Sequence, residues 1–269
     1  MESFLNYGFV QKALVSGVLI AIACAILGVF LILRRDAMFA HGLAHVTFAG
    51  VALGLFLGIM PLVAALCVAI LAALAILKLK EKAGLYGDTA IGVLSSVGMA
   101  LGILIVSLAQ NFNVDLFSYL FGEILAIETS EVWLSVGLVI CVLLVVLINY
   151  HKFLYIAFDS ESAKASGIRV NRLDILLAVL TAVTVVLGMK VVGLLLVAAL
   201  VVIPAAAALQ VATSFKVALI VSCFVALLSV VLGLFLAFYF DFPASGTIVL
   251  LAFFLFGLFF VFKRVKSLI

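Results

Sequence analysis

Nine long apolar runs restrict the fold of this chain more than any other feature. A membrane-spanning helix needs about 20 consecutive apolar residues, and in lipid such a run must satisfy its own backbone hydrogen bonds by forming a helix. We expect eight or nine crossings, because very short turns within 38–77 and 173–211 leave room for one broken or re-entrant span. The runs lie at roughly 9–33, 38–58, 60–77, 89–110, 132–149, 173–189, 192–211, 217–240 and 245–262.

The composition agrees with a polytopic, all-α integral membrane protein. The chain is 69% hydrophobic and 10% charged, whereas soluble domains are about 45–50% apolar and about 25% charged. We therefore predict one transmembrane domain over 1–269, surrounded by membrane lipid. The net charge of +3 gives no indication of a nucleic-acid partner. The four cysteines stand singly within apolar runs, without a CxxC pair, and are interpreted as small apolar residues.

The basic residues predict the orientation, since cytoplasmic loops are enriched in lysine and arginine. With nine alternating spans and Arg34–Arg35 inside, only Lys12 and Lys190 of the 15 basic residues lie outside. Lys190 stands near the outer end of its span, where we expect it to snorkel towards water. This nine-span topology places the N-terminus outside the cell and the C-terminus on the cytoplasmic side of a cell membrane. The basic residues inside are Arg34, Arg35, Lys78, Lys80, Lys82, Lys152, Lys164, Arg169, Arg172, Lys216, Lys263, Arg264 and Lys266.

Two polar stretches between spans have a pattern of their own. The outer one, 111–131, carries four acids, no base and an amphipathic middle, which indicates a short interfacial or re-entrant helix. It could attract cations, or it could be an ordinary solvated loop. The inner one, 150–174, contains Asp159 at an N-cap position and Gly167 at a C-cap position. A short polar helix there could dock a cytoplasmic partner, or simply form part of a loop.

His41 and His45 are the candidate metal ligands. Residues i and i+4 share one face of a helix, and neutral imidazoles suit a borderline ion such as zinc. Gly50, Gly54 and Gly58 form a stripe of small residues, with Gly50 on the opposite face from His41, where a neighbouring helix could pack closely. The alternative for His41 is an interfacial histidine close to Arg35.

Two common enzyme motifs are absent from the sequence. No glutamate follows either histidine in the HExxH pattern of zinc proteases, and no GxxxxGK[ST] loop is present to bind nucleotide. We therefore expect no catalytic residue in this chain. Pro204 is expected to kink its helix.

The chain resembles the membrane permease subunit of metal-ion ABC importers, which take up zinc, manganese or iron with the help of an extracytoplasmic binding protein. The resemblance extends over nearly the whole chain and covers six stretches in order. They are LILRRDAMFAHGLAHVTFAGVALG, GDTAIGVLSSVGMALG, VDLFSYLFGEIL, LYIAFDSESAKASGI, KVVGLLLVAALVVIPAAAA and SGTIVLL.

The resemblance implies a type II importer permease that forms a homodimer, works with two copies of a separate cytoplasmic ATPase and receives its ion from a binding protein. It implies no resident cofactor, because the metal is the substrate. His45 matches the histidine of the family's Asp-x-x-x-His pair, whereas His41 departs from the aspartate. The coupling helix that docks on the ATPase is implied at 158–167, comprising Phe158, Asp159, Ser160, Glu161, Ser162, Ala163, Lys164, Ala165, Ser166 and Gly167.

The sequence thus predicts the permease of an ATP-driven zinc importer, since imidazole at position 41 favours zinc over harder ions. Three alternatives remain open: a manganese or iron(II) importer of the same type, a permease for a metal complex, and a metal channel or secondary transporter without an ATPase. A channel or secondary transporter would have no need of a coupling helix at 158–167. An intramembrane enzyme would need a third ligand and a buried acid, which the sequence does not offer.

Overall fold

The computed structural model describes residues 6–82, 87–108, 122 and 127–266, and within these residues all regular structure is helical. Nine of the helices are long and apolar enough to cross a membrane. Two short helices lie between the fifth and sixth spans. The helices are α1 Gly8–Leu33, α2 Phe39–Phe56, α3 Pro61–Lys82, α4 Gly87–Leu108, α5 Thr129–Ile148, α6 Tyr150–Phe158, α7 Ser160–Ala165, α8 Val170–Val192, α9 Leu194–Val211, α10 Phe215–Phe240 and α11 Ala244–Lys266.

The two regions with short turns each contain two separate spans. Helices α2 and α3 are joined through Gly58 at φ 67°, and α8 and α9 meet at Gly193 with φ 90°. Glycine adopts these left-handed conformations without a steric penalty, so the chain can reverse within a few residues. The prediction of eight or nine crossings is confirmed, with nine candidate spans in the described part of the chain. Pro204 lies buried inside α9, which continues on both sides of it.

Burial separates an inner group of spans from an outer group. Helices α1, α2 and α8 are mostly buried, while α4 and α11 bury few of their residues. The main apolar core draws residues from all eleven described helices. The exposed surface of α11 is rich in phenylalanine, including Phe253, Phe254 and Phe260, as expected for contact with lipid tails.

Polar contacts between helices agree with the nine-crossing path. Each contact joins residues that this path places at the same end of the bundle. One end contains Arg34–Asp174, Lys80–Asp36, Asn171–Glu81 and Lys263–Gln210. The opposite end contains the ion pair between Lys190 and Glu131. If one span between two partners did not cross the membrane, the path would place them at opposite ends of the bundle. They would then lie about 30 Å apart, the thickness of the membrane core.

The predicted interfacial segment 111–131 is wrong at its C-terminal boundary. Residues from Thr129 onward belong to the spanning helix α5, and Glu128 is its N-cap. The carboxylate of Glu131 accepts a hydrogen bond from the backbone N–H of Glu128, which completes a capping box. These two acids therefore begin a span. Apart from Gly122 and 127–131, the segment lies outside the described residues.

Candidate functional site

His41 and His45 lie on one face of α2, half-buried, with their Nε2 atoms 3.1 Å apart. Their rings meet edge to face, at a centroid distance of 4.6 Å and an interplanar angle of 89°. The i, i+4 spacing places the side chains one turn apart on the helix, and the rotamers bring the two ring nitrogens within hydrogen-bond distance of each other. The structure therefore joins the two predicted ligands.

The opposite face of α2 packs closely on α3 through Gly50 and Gly54. A Cβ atom on Gly50 would lie 2.7 Å from Cα of Ala65, and one on Gly54 would lie 2.7 Å from Cα of Pro61. The prediction was wrong for Gly58, which follows the end of α2 and has no atom within 4 Å of the place where its Cβ would stand. Gly58 serves the turn, because its φ of 67° is left-handed.

A third side of α2 packs on α4. Gly98 of α4 lies so close to Val46 that a Cβ atom there would be 2.8 Å from the Cα of Val46. About one turn nearer the start of α2, the side chain of Ile91 covers Gly42. Because α3 and α4 pack closely on two sides of α2, this packing sets the direction in which the histidine face points.

The spacing of the two nitrogens suits a shared tetrahedral ion. Zinc–nitrogen bonds of about 2.0–2.1 Å in a tetrahedron separate two ligand nitrogens by about 3.3 Å. The observed 3.1 Å is a hydrogen-bond contact between the two imidazoles, and it is also close to that separation. Within the described ranges no group of three or more His, Cys, Asp and Glu residues could hold a metal ion. Two nitrogens would leave the other two positions of such an ion open.

The segment 158–167 forms a short capped helix between two spans. The Asp159 side chain accepts hydrogen bonds from the backbone N–H groups of Glu161 and Ser162, so it is the N-cap of α7. At the other end, Gly167 has φ 82° and its N–H donates to Lys164, while Ile168 N–H donates to Ala163. This pair of bonds is a Schellman motif. The predicted range is too long by one residue at its start, since Phe158 ends α6.

The surface of α7 is polar and open to solvent. Ser160, Glu161 and Lys164 are exposed, whereas Ala163 is fully buried and fastens the helix to the bundle. Hydrogen bonds from the side chain and backbone of Ser162 hold the pKa of Asp159 below its ordinary value of 3.8. The cap is therefore a carboxylate at neutral pH.

Ion pairs are the functional candidates that the sequence did not reveal. Lys190 was interpreted as a residue that could snorkel towards water, and its Nζ lies 2.7 Å from Oε1 of the buried Glu131. Arg34 pairs with Asp174, and Lys80 with Asp36. In the sequence, all of these partners are charged residues at the ends of apolar runs. The two members of each pair lie too far apart along the chain for any local pattern to indicate that they meet.

Comparison with known proteins identifies the class that this fold and site define. Residues 6–263 match the ABC 3 transport family. The chain is 36% identical over 245 residues to the manganese import system permease protein ScaB of Streptococcus gordonii, covering 91% of this chain and 88% of the relative. It is 34% identical over 253 residues to the high-affinity zinc uptake system membrane protein ZnuB of Haemophilus influenzae, covering 94% and 96%.

The structural comparison gives the same class. The solved structure of PsaBC from Streptococcus pneumoniae in complex with Fab matches with a TM-score of 0.86 at 34% identity, covering 96% of this chain and 93% of that chain. An inward-facing putative metal-chelate type ABC transporter matches in fold, with a TM-score of 0.75 at 18% identity, covering 94% and 86%. The chain is a polytopic membrane permease of a metal ABC importer. It belongs to the ABC 3 transport family.

Proposed function

We propose that this permease imports zinc, with His41 and His45 as a transient site on the transport path. The observation that carries the proposal is the 3.1 Å separation of the two Nε2 atoms, which matches two ligands of one tetrahedral ion. Two imidazoles from one helix hold an ion without enclosing it. The remaining positions are left for water or for ligands of another chain.

The choice of metal rests on the chemistry of position 41. Two relatives of similar sequence identity carry names that refer to different metals: ScaB of Streptococcus gordonii to manganese, and ZnuB of Haemophilus influenzae to zinc. Manganese prefers carboxylate oxygen, whereas imidazole suits zinc. A histidine at position 41 therefore favours zinc, and manganese import is the second candidate because of the relatives named for it.

The driving force is ATP hydrolysis by a separate ATPase dimer on the cytoplasmic side. The sequence has no P-loop of its own, and α7 offers an exposed, capped, polar helix fastened between two spans. Such a helix is suited to seat in a groove of a partner protein. A binding protein on the outer side would deliver the ion, which the open two-ligand site can accept and release.

A second copy of the chain is assigned to the exposed face of α4. This face carries the small residues Gly92, Ser96 and Ala100, which allow helices to approach closely, and the opposite face of α4 packs on α2 at Gly98. The exposed face of α11 has bulky phenylalanines instead and suits lipid.

The orientation follows from the distribution of basic residues. With 13 of the 15 lysines and arginines on one side of nine crossings, that side is the cytoplasm. It contains α7, as docking on an ATPase requires, and the C-terminus.

Uptake of radiolabelled zinc by cells expressing the permease with its ATPase and binding protein tests the proposal. The wild type is expected to accumulate zinc, and His45→Ala is expected to abolish uptake at equal protein level. His151→Ala is the matched control, because the third histidine is exposed on α6. Normal zinc uptake by His45→Ala would refute the site, and absence of zinc uptake by the wild type would refute the substrate.

A further inference from the structure

The turn between α1 and α2 is held by two ion pairs from two other helices. Nη1 of Arg34 lies 2.6 Å from Oδ1 of Asp174 on α8, and Nζ of Lys80 on α3 lies 2.5 Å from Oδ1 of Asp36. The four side chains expose between 11% and 27% of their surface. At this depth, loss of one partner leaves a poorly solvated charge, so the pairs keep a defined geometry.

This turn fixes the start of the histidine helix. The N–H of Asp36 donates to Leu31 at 2.8 Å, and the N–H of Phe39 donates to the carbonyl of Asp36 at 3.0 Å. Asp36 is thus hydrogen-bonded both to the end of α1 and to the first residue of α2. His41 lies five residues further on, so a displacement of Asp36 moves the first turn of α2 and with it the histidine face.

The other end of the Arg34 pair is connected to α7. Only four residues separate α7 from α8, and they are bonded internally: Ile168 N–H donates to Ala163, and Val170 N–H donates to Ile168. The buried Ala163 and a 3.2 Å hydrogen bond between the Tyr155 and Ser166 hydroxyls fasten α7 to its surroundings. Asp174 lies in the second turn of α8, directly after this connection.

We propose that Arg34–Asp174 and Lys80–Asp36 are positioning pairs that link α7 to the first turn of the histidine helix. Movement of α7 by its partner shifts the start of α8, and Asp174 transfers the shift through Arg34 to the turn that carries Asp36. Lys80 holds the same turn against α3, so the shift reaches His41 and His45 through the first turn of α2. This inference rests on the proposed function, since it assumes that α7 docks on the ATPase.

The experiment measures metal uptake and ATP hydrolysis in parallel, with the complete transporter in proteoliposomes and radiolabelled zinc and manganese assayed separately. In Arg34→Gln and Asp174→Asn, uptake is expected to fall at least about tenfold while ATP hydrolysis changes less than about twofold. The charge-swapped double variant Arg34→Asp with Asp174→Arg is expected to recover most of the uptake. Recovery by the swap distinguishes pairing from a general loss of structure.

Asn171→Ala is the matched control. Asn171 donates to Glu81 at 3.2 Å and joins the same two helices, α8 and α3, at the same end of the bundle, but the contact is exposed. Uptake is expected to be unchanged. The inference is overturned if single variants transport normally, if uptake and hydrolysis fall in parallel, or if the swap restores nothing. If His45→Ala blocks uptake but Arg34→Gln does not, the ion-pair inference is wrong while the proposed function stands. If the wild type transports neither metal, both proposals are wrong.

Discussion

Lys190 and Glu131 join α8 to the first turn of α5 through a contact of 2.7 Å between Nζ and Oε1. Glu131 is buried and also caps its own helix through the N–H of Glu128. One carboxylate thus fixes both the start of a span and its position against a neighbour.

Removing one charge of this pair is expected to destabilise the protein. In Glu131→Gln the capping hydrogen bond is retained, since glutamine also serves in a capping box, but Lys190 loses the charge of Glu131. We expect a loss of about 2 kcal/mol, below the 3–5 kcal/mol of fully buried pairs because Lys190 is partly exposed. Thermal unfolding in detergent measures it. The double variant with Lys190→Met should be more stable than Glu131→Gln, and equal losses in both would contradict the account.

Close packing of the histidine helix predicts a contrast between two glycines. Gly50→Ala would place a Cβ 2.7 Å from the backbone of Ala65, so we expect a destabilisation of about 1–3 kcal/mol. Gly137→Ala on α5 meets nothing within 4 Å and should be neutral or slightly stabilising, because alanine favours helix over glycine. Thermal unfolding of the two variants side by side checks this. Equal stability would show that α2 and α3 have room to separate.

The cap of α7 predicts a pH-independent helix in the physiological range. Because hydrogen bonding lowers the pKa of Asp159, its stabilising contribution is present above the ordinary value of 3.8 and is lost only as pH falls below it. Amide hydrogen exchange at Glu161 and Ser162, corrected for the intrinsic rate, should therefore be constant from about pH 5 to pH 8. Asp159→Ala should accelerate it, whereas Asp159→Asn should not, since asparagine also caps helices. A protection that rises steeply within that range would contradict this assignment.

The proposed orientation predicts which positions react with a membrane-impermeant thiol reagent. In a variant without the native cysteines, Ser160→Cys on α7 should be protected in intact cells and labelled after permeabilisation. Thr129→Cys, at the opposite end of the bundle, should be labelled in both. Labelling of Ser160→Cys in intact cells would invert the topology and remove α7 from the side of the ATPase.

The sequence predicts the spans and the capped helix well because both depend on local chemistry. Apolar runs of sufficient length must become helices in lipid, and Asp159 and Gly167 satisfy helix ends through neighbours in the chain. It fails where tertiary packing decides. Gly58 shares the spacing of Gly50 and Gly54, but α2 ends at Phe56, so Gly58 lies in the turn and does not pack on α3. Lys190 finds Glu131, 59 positions away, only because α8 and α5 lie side by side.

The central claim is that two imidazoles select zinc, and competition for uptake tests it most directly. Cells carrying the complete transporter are given radiolabelled zinc with an about hundredfold excess of unlabelled manganese. The account predicts that zinc uptake persists in the wild type and that His41→Asp makes it sensitive to manganese. Zinc uptake abolished by manganese in the wild type, or an unchanged preference in His41→Asp, would contradict it.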